Sequence, residues 1–217
     1  MFRYFYILLL ATVMTACFDA KFIADGMSNL GTMDDMKLAF YKERSPEQAF
    51  LAVPGMIAML DGFIASSPEN AVLLAKGAEM NCSQALLLLE SEHPEWAILQ
   101  YSKGLRLGLR SLAVTNPSLA RALKDGDEKL VGELAKGVEM EQLEPLLWTG
   151  ICWGGLANLD KSAENISAAG LIEALVTRSI ELNDKIFFGA GYLLLGMRHS
   201  VIPPSLGCHT EAGRKFF

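Results

Sequence analysis

What this sequence has little of narrows its class before any motif is read. Three histidines (His93, His199, His209) and four cysteines (Cys17, Cys82, Cys152, Cys208) are scattered through 217 residues, with no CxxC pair. No histidine falls at ligand spacing from a cysteine, so zinc is disfavoured, and adjacent Cys208 and His209 form the only pair worth a metal assay. The wide, odd spacing left once Cys17 is set aside does not read as a disulfide framework, and Cys82 and Cys152 are expected to be small buried apolar side chains. Basic residues are in the minority, 19 Lys and Arg against 25 Asp and Glu, for a formal net charge of -6. With no strongly basic patch, nucleic acid is excluded as an expected partner. Catalytic signatures are missing too: there is no GxSxG, no HExxH and no glycine-rich phosphate loop. Asp34 with Asp35 and Asp125 with Asp127 read as a solvated helix face and a turn, so no catalytic residue and no enzymatic activity are expected.

Long hydrophobic runs are scarce as well, and the one that stands out opens the chain. Residues 4–18 are almost unbroken apolar sequence, whereas crossing the hydrocarbon core takes roughly twenty residues. A lone charge at Arg3, an apolar centre from Ile7 to Leu10 and small residues at Thr15 and Ala16 instead fit a secretory signal. Met14-Thr15-Ala16-Cys17 resembles a bacterial lipobox, ending in the cysteine that becomes the lipidated first residue. The expected division is a signal peptide over 1–16, a lipidated terminus and tether over 17–30, which includes KFIADGMSNL, and a helical domain over 31–217. Two or more acyl chains on Cys17 would anchor the protein without a spanning helix. The plainer alternative is an ordinary cysteine beside an apolar start. No later run is expected to reach spanning length, and the body is expected to be soluble.

What is present reads as helix. Ser45-Pro46-Glu47-Gln48 is a capping box with proline at the first helical position, and Ser67-Pro68-Glu69-Asn70 reads as the same start. Pro94, Pro117 and Pro145 also open segments that continue with helical apolar spacing. In residues 96–114 the apolar face is Ala97, Tyr101, Leu105, Leu109 and Leu112, with Lys103, Arg106 and Arg110 opposite. Gly104 and Gly108 lie between those faces, where each costs up to about 1 kcal/mol of helix propensity unless a close helix neighbour compensates. Helices of similar length without a strand pattern predict an all-α fold of stacked helical hairpins, a tetratricopeptide-like α-solenoid or compact array.

Three stretches, residues 73–112, 145–184 and 185–217, together with the lipobox, resemble the T component of TRAP (tripartite ATP-independent periplasmic) transporters, the TatT family of tetratricopeptide-like periplasmic lipoproteins. The most specific matches are Trp148-Thr149-Gly150 with Trp153-Gly154-Gly155, and Phe188-Gly189 with Gly196 and Pro203-Pro204-Ser205-Leu206-Gly207. The resemblance implies a non-enzymatic, lipid-anchored periplasmic protein, trimeric or otherwise homo-oligomeric. It also implies binding to the transporter's periplasmic solute-binding protein and an apolar channel for small organic or hydrophobic ligands. Further helices are expected after Phe217, so the chain end reads as a truncation or as a unit capped by another subunit.

Trp148 and Trp153, beside Gly150, Gly154 and Gly155, are candidate channel walls, or else plain core. Arg198 and His199 are the candidate cations for an organic-acid carboxylate, the plainer reading of Arg198 being an ordinary surface residue. Pro203, Pro204, Leu206 and Gly207 form a turn insertion that either lines a binding face or acts as a rigid connection. No cofactor is expected beyond the covalent lipid. A generic helical-repeat scaffold lipoprotein of envelope assembly is the competing function.

Overall fold

Side-chain caps set five of the eleven described α-helix starts. Ser45 Oγ accepts the Gln48 N–H at 3.2 Å, with Pro46 at the first helical position, as its sequence predicts. Asn116, Asp127 and Ser162 cap the same way onto Leu119, Leu130 and Asn165. The second proline start differs from expectation. Asn70 is the cap there, accepting from Leu73 N–H at 3.1 Å, while Ser67 ends the preceding helix and donates to Asp25 Oδ1 at 2.6 Å. Likewise Pro145 is the third residue of its helix and not its start.

The computed structural model describes residues 20–29, 31–201, 213 and 216. Cys17, Pro203, Pro204, Leu206, Gly207, Cys208 and His209 lie outside the described residues. The helices are α1 (Ala20–Asn29), α2 (Thr32–Tyr41), α3 (Pro46–Ser66), α4 (Ala71–Gln84), α5 (Pro94–Thr115) and α6 (Pro117–Asp125). They continue with α7 (Glu128–Lys136), α8 (Leu143–Leu159), α9 (Ala163–Ser167), α10 (Ala169–Leu182) and α11 (Ala190–Val201). A π-helical turn (Ala85–Leu89) extends α4, and a 3-10 turn (Ile186–Gly189) joins α10 to α11. The described residues hold no strand, and the fold is an all-α array of packed hairpins.

Packing runs along the chain: α4 against α3 and α5, α8 against α5 and α4, α10 against α8, and α11 against α10. The α6–α7 hairpin fills the end between α5 and α10. Two helices are enclosed on nearly every side, α4 with ten of fourteen residues buried and α8 with ten of seventeen. One apolar core gathers Leu73, Leu74, Ala78, Tyr101, Leu147 and Trp148, and a second gathers Leu112, Leu119, Val131, Leu146, Leu175 and Val176. α8 contributes to both, so it ties the halves of the array together.

Where α4, α5 and α8 meet, Cys82 and Cys152 are buried as expected, but against expectation they are joined in a disulfide, with Cα atoms 5.4 Å apart. Wide sequence spacing hid the pair, because two helices 70 residues apart bring them together. Gly104 lies against the bridge, where an added Cβ would fall 2.9 Å from Cys152 Sγ and nearer still to Cys82 Sγ. Gly108 meets Thr149 and Gly155 meets the Tyr101 ring in the same manner. Gly104 and Gly108 thus sit at the centre of the buried face of α5, together with Leu107, and not between two faces as the apolar spacing suggested. Close helix contact offsets their low propensity.

α3 departs from the expectation that no later run is long enough to span a bilayer. Its 21 residues are long and apolar enough by length and composition, with mean hydropathy 1.7 over its best window. Val53, Ile57, Leu60 and Ile64 face the core. The opposite side is apolar and exposed, with Leu51 at 76% and Met59 at 41%.

Two outcomes are expected. Cys82→Ala/Cys152→Ala lowers unfolding free energy in urea by about 4 kcal/mol, the chain-entropy value for a loop of this length. Gly104→Ala lowers it by about 1–3 kcal/mol through overpacking against the bridge, despite alanine's better helix propensity.

Candidate functional site

α4 is apolar on most of its surface, yet it carries Lys76 and Glu79 one turn apart, with side chains only 8% and 5% exposed. Charges so buried need partners. The chain supplies them from α2 and α8. Lys76 Nζ lies 2.8 Å from Asp34 Oδ1, 2.8 Å from Glu144 Oε2 and 3.6 Å from Glu79 Oε2. Lys37 Nζ lies 3.1 Å from Glu79 Oε1, and the Tyr41 hydroxyl donates to the same carboxylate at 3.4 Å.

Burial opposes the charge of Lys76, but Glu79, Glu144 and Asp34 together hold its ammonium above the usual lysine range. Burial pushes the Glu79 carboxyl up, and Lys76 and Lys37 pull it back only in part. Asp34 is held below the ordinary carboxylate range, chiefly by the hydrogen bond from Lys76. The Tyr41 hydroxyl is pushed up by burial and by Glu79, so it remains a donor.

On one side of this network a cleft opens between α2, α3 and α4, about 780 Å³ of empty space counting its open mouth. Met33, Met56, Met59 and Met80 line it with Leu60 and Leu88, and Lys37, Lys76 and Glu79 close its charged end. Unbranched, polarizable methionines adapt to apolar guests of varied shape. Ser83 Oγ and Gln84 Oε1, in two further lining residues, are buried without a hydrogen-bond partner. Such atoms mark a place where a ligand or water is called for.

On the other side lies a second chamber of about 510 Å³, again counting its open side. Tyr41, Trp148, Phe187 and Phe188 supply its rings, and Lys37, Lys185, Glu79 and Glu144 its charges. Its rim is strained. Phe187 (φ 45°) and Phe188 (φ 58°) both lie in the left-handed region ahead of Gly189 (φ 76°). Side chains there cost of order 1–3 kcal/mol each, and such strain clusters at functional sites. The turn directs Phe187 edge-on to Trp148 at 4.6 Å and leaves Phe188 85% exposed, 5.8 Å from the Tyr41 ring.

The residues singled out from sequence do not converge. Trp148, 2% exposed, is a wall of the second chamber. Trp153 packs on the second core, away from both cavities. Arg198 is ion-paired with Glu173 of α10, and His199 stacks on Phe216 at 5.5 Å. Sequence reasoning missed Lys37, Tyr41, Lys76, Glu79 and Phe187. A signal was present for two of them, since Lys76 and Glu79 interrupt the otherwise apolar stretch LLAKGAEM.

The fold is thus a helical array that encloses an apolar cleft against a buried charge network. Among protein-family models, that of the TRAP transporter T-component matches residues 42–217, and the chain belongs to this family. Association with a TRAP transporter, a transport role and a bacterial envelope location come with that membership. No curated protein matches the chain.

Lys76→Ala should lower unfolding free energy by about 3–5 kcal/mol, because it removes the ammonium shared by Asp34, Glu144 and the buried Glu79 and leaves Lys37 alone to offset three carboxylates. The folded Glu79 carboxyl is raised, so its neutral form gains as pH falls toward and below the ordinary glutamate range. The loss measured by urea unfolding at pH 4 is therefore expected to be smaller than at pH 7.

Proposed function

We propose that this chain is a non-enzymatic periplasmic lipoprotein, held at a bacterial envelope membrane by lipid on Cys17, that binds the solute-binding protein of a TRAP-type transporter. In this reading it receives a small organic ligand with a large apolar body. The observation that carries the proposal is the methionine-lined cleft ending at the Lys37–Lys76–Glu79 network, in a chain that belongs to the T-component family. The ligand site therefore moves from the Trp153, Arg198 and His199 region to the surfaces of α2, α3 and α4.

Three further features support it. The Cys82–Cys152 bridge fits an oxidising compartment such as the periplasm. The cleft and the aromatic chamber share Lys37, Tyr41 and Glu79 as a common wall, so displacement of Tyr41 would join them into a passage for hand-over. The exposed apolar side of α3, where Gly55 and Gly62 have open space around them, suits close packing by another copy of the chain.

Immobilised full-length, lipidated protein is expected to retain a TRAP solute-binding protein from periplasmic extract of the source cells, identified by mass spectrometry. Cys17→Ser protein is expected in the soluble periplasmic fraction. Repeated failure to retain that partner would overturn the hand-over role.

A further inference from the structure

The charge balance around the aromatic chamber points to a ligand chemistry that differs from that of a simple organic acid. Behind and within its wall, Asp34, Glu79 and Glu144 meet Lys37 and Lys76 in one network, three carboxylates against two ammonium groups. Both lysines are fully engaged there, and an entering anion would face the uncompensated carboxylate. The remaining charge on the chamber is Lys185, exposed on its rim, which forms no ion pair among the described residues. Rings account for much of the rest of the wall. Tyr41 stands 5.8 Å from Phe188 and 6.2 Å from Phe187, which in turn meets Trp148.

Ring faces attract cations electrostatically, most effectively weakly hydrated ones that lose little on leaving water. Nearby carboxylates strengthen that preference. The strained Phe187–Phe188 turn fits the same scheme, since it holds one ring inward and its neighbour outward over the opening.

We propose that the aromatic chamber binds a small zwitterion, with an alkylated ammonium seated in the chamber against the Tyr41, Phe187 and Phe188 rings and toward Glu79 and Glu144, and a carboxylate reaching Lys185 at the rim. This site is distinct from the methionine cleft. Capture of a solute-binding protein can fail while zwitterion binding holds, and the reverse.

Glycine betaine and 3,3-dimethylbutanoate make the deciding pair, because they share shape and carboxylate and differ by the positive charge on one atom. In titrations of the purified chain followed by calorimetry and tryptophan fluorescence, betaine is expected to bind about ten-fold more tightly than its carbon isostere. Phe188→Leu keeps apolar bulk at an exposed position and removes the ring, and should weaken betaine about three-fold. Lys185→Ala should weaken betaine while leaving tetramethylammonium unchanged. Circular dichroism of both surface variants checks that the helices are intact. Equal or tighter binding of the isostere, or no betaine binding up to solubility-limited concentrations, overturns the proposal.

Discussion

The close approach of α4, α5 and α8 at the Cys82–Cys152 bridge is the constraint from which the rest of this molecule follows. Gly104 and Gly108 remove side chains from the middle of α5, so its backbone lies directly against the bridge and Thr149. Helix axes that close leave little room for water, and α4 becomes a helix buried on most of its surface. The charged groups it carries must then be matched from neighbouring elements.

That requirement explains the network. Lys76 and Glu79 are almost wholly withdrawn from solvent, and α2 brings Asp34 and Lys37 and α8 brings Glu144 to meet them. The cluster occupies space that side-chain packing would otherwise fill, and the cavities on its two sides are where the apolar elements fail to close around it. One side received flexible methionines and the other rigid rings, so the two spaces differ in what they accept. Two compartments on either side of one polar partition would suit the hand-over role proposed above.

The helical architecture was readable from sequence because its causes are local. Ser45, Asn116 and their following prolines cap helices through atoms three residues apart, and the apolar spacing of α5 correctly placed Ala97, Tyr101 and Leu112 inward. Where a start was misplaced, as at Ser67, a distant residue had claimed the side chain: Asp25 takes the Ser67 hydroxyl and leaves capping to Asn70. The family resemblance, too, rested on contiguous motifs such as Trp148-Thr149-Gly150. The candidate site was far less legible. Among the described residues, Trp148 was the one anticipated residue that lines either cavity, while Arg198, a candidate ligand cation in the sequence, is committed to Glu173.

By itself, then, the sequence determined the class: helices, their approximate order, and kinship with the T component, since each depends on short-range spacing and capping. Tertiary structure alone decided that Cys82 meets Cys152, that the α5 glycines face inward, and that Lys37, Tyr41, Lys76, Glu79 and Phe187 surround two cavities. Those residues come from α2, α4 and the turn before α11, and the packing of those elements around α8 brings them within contact distance.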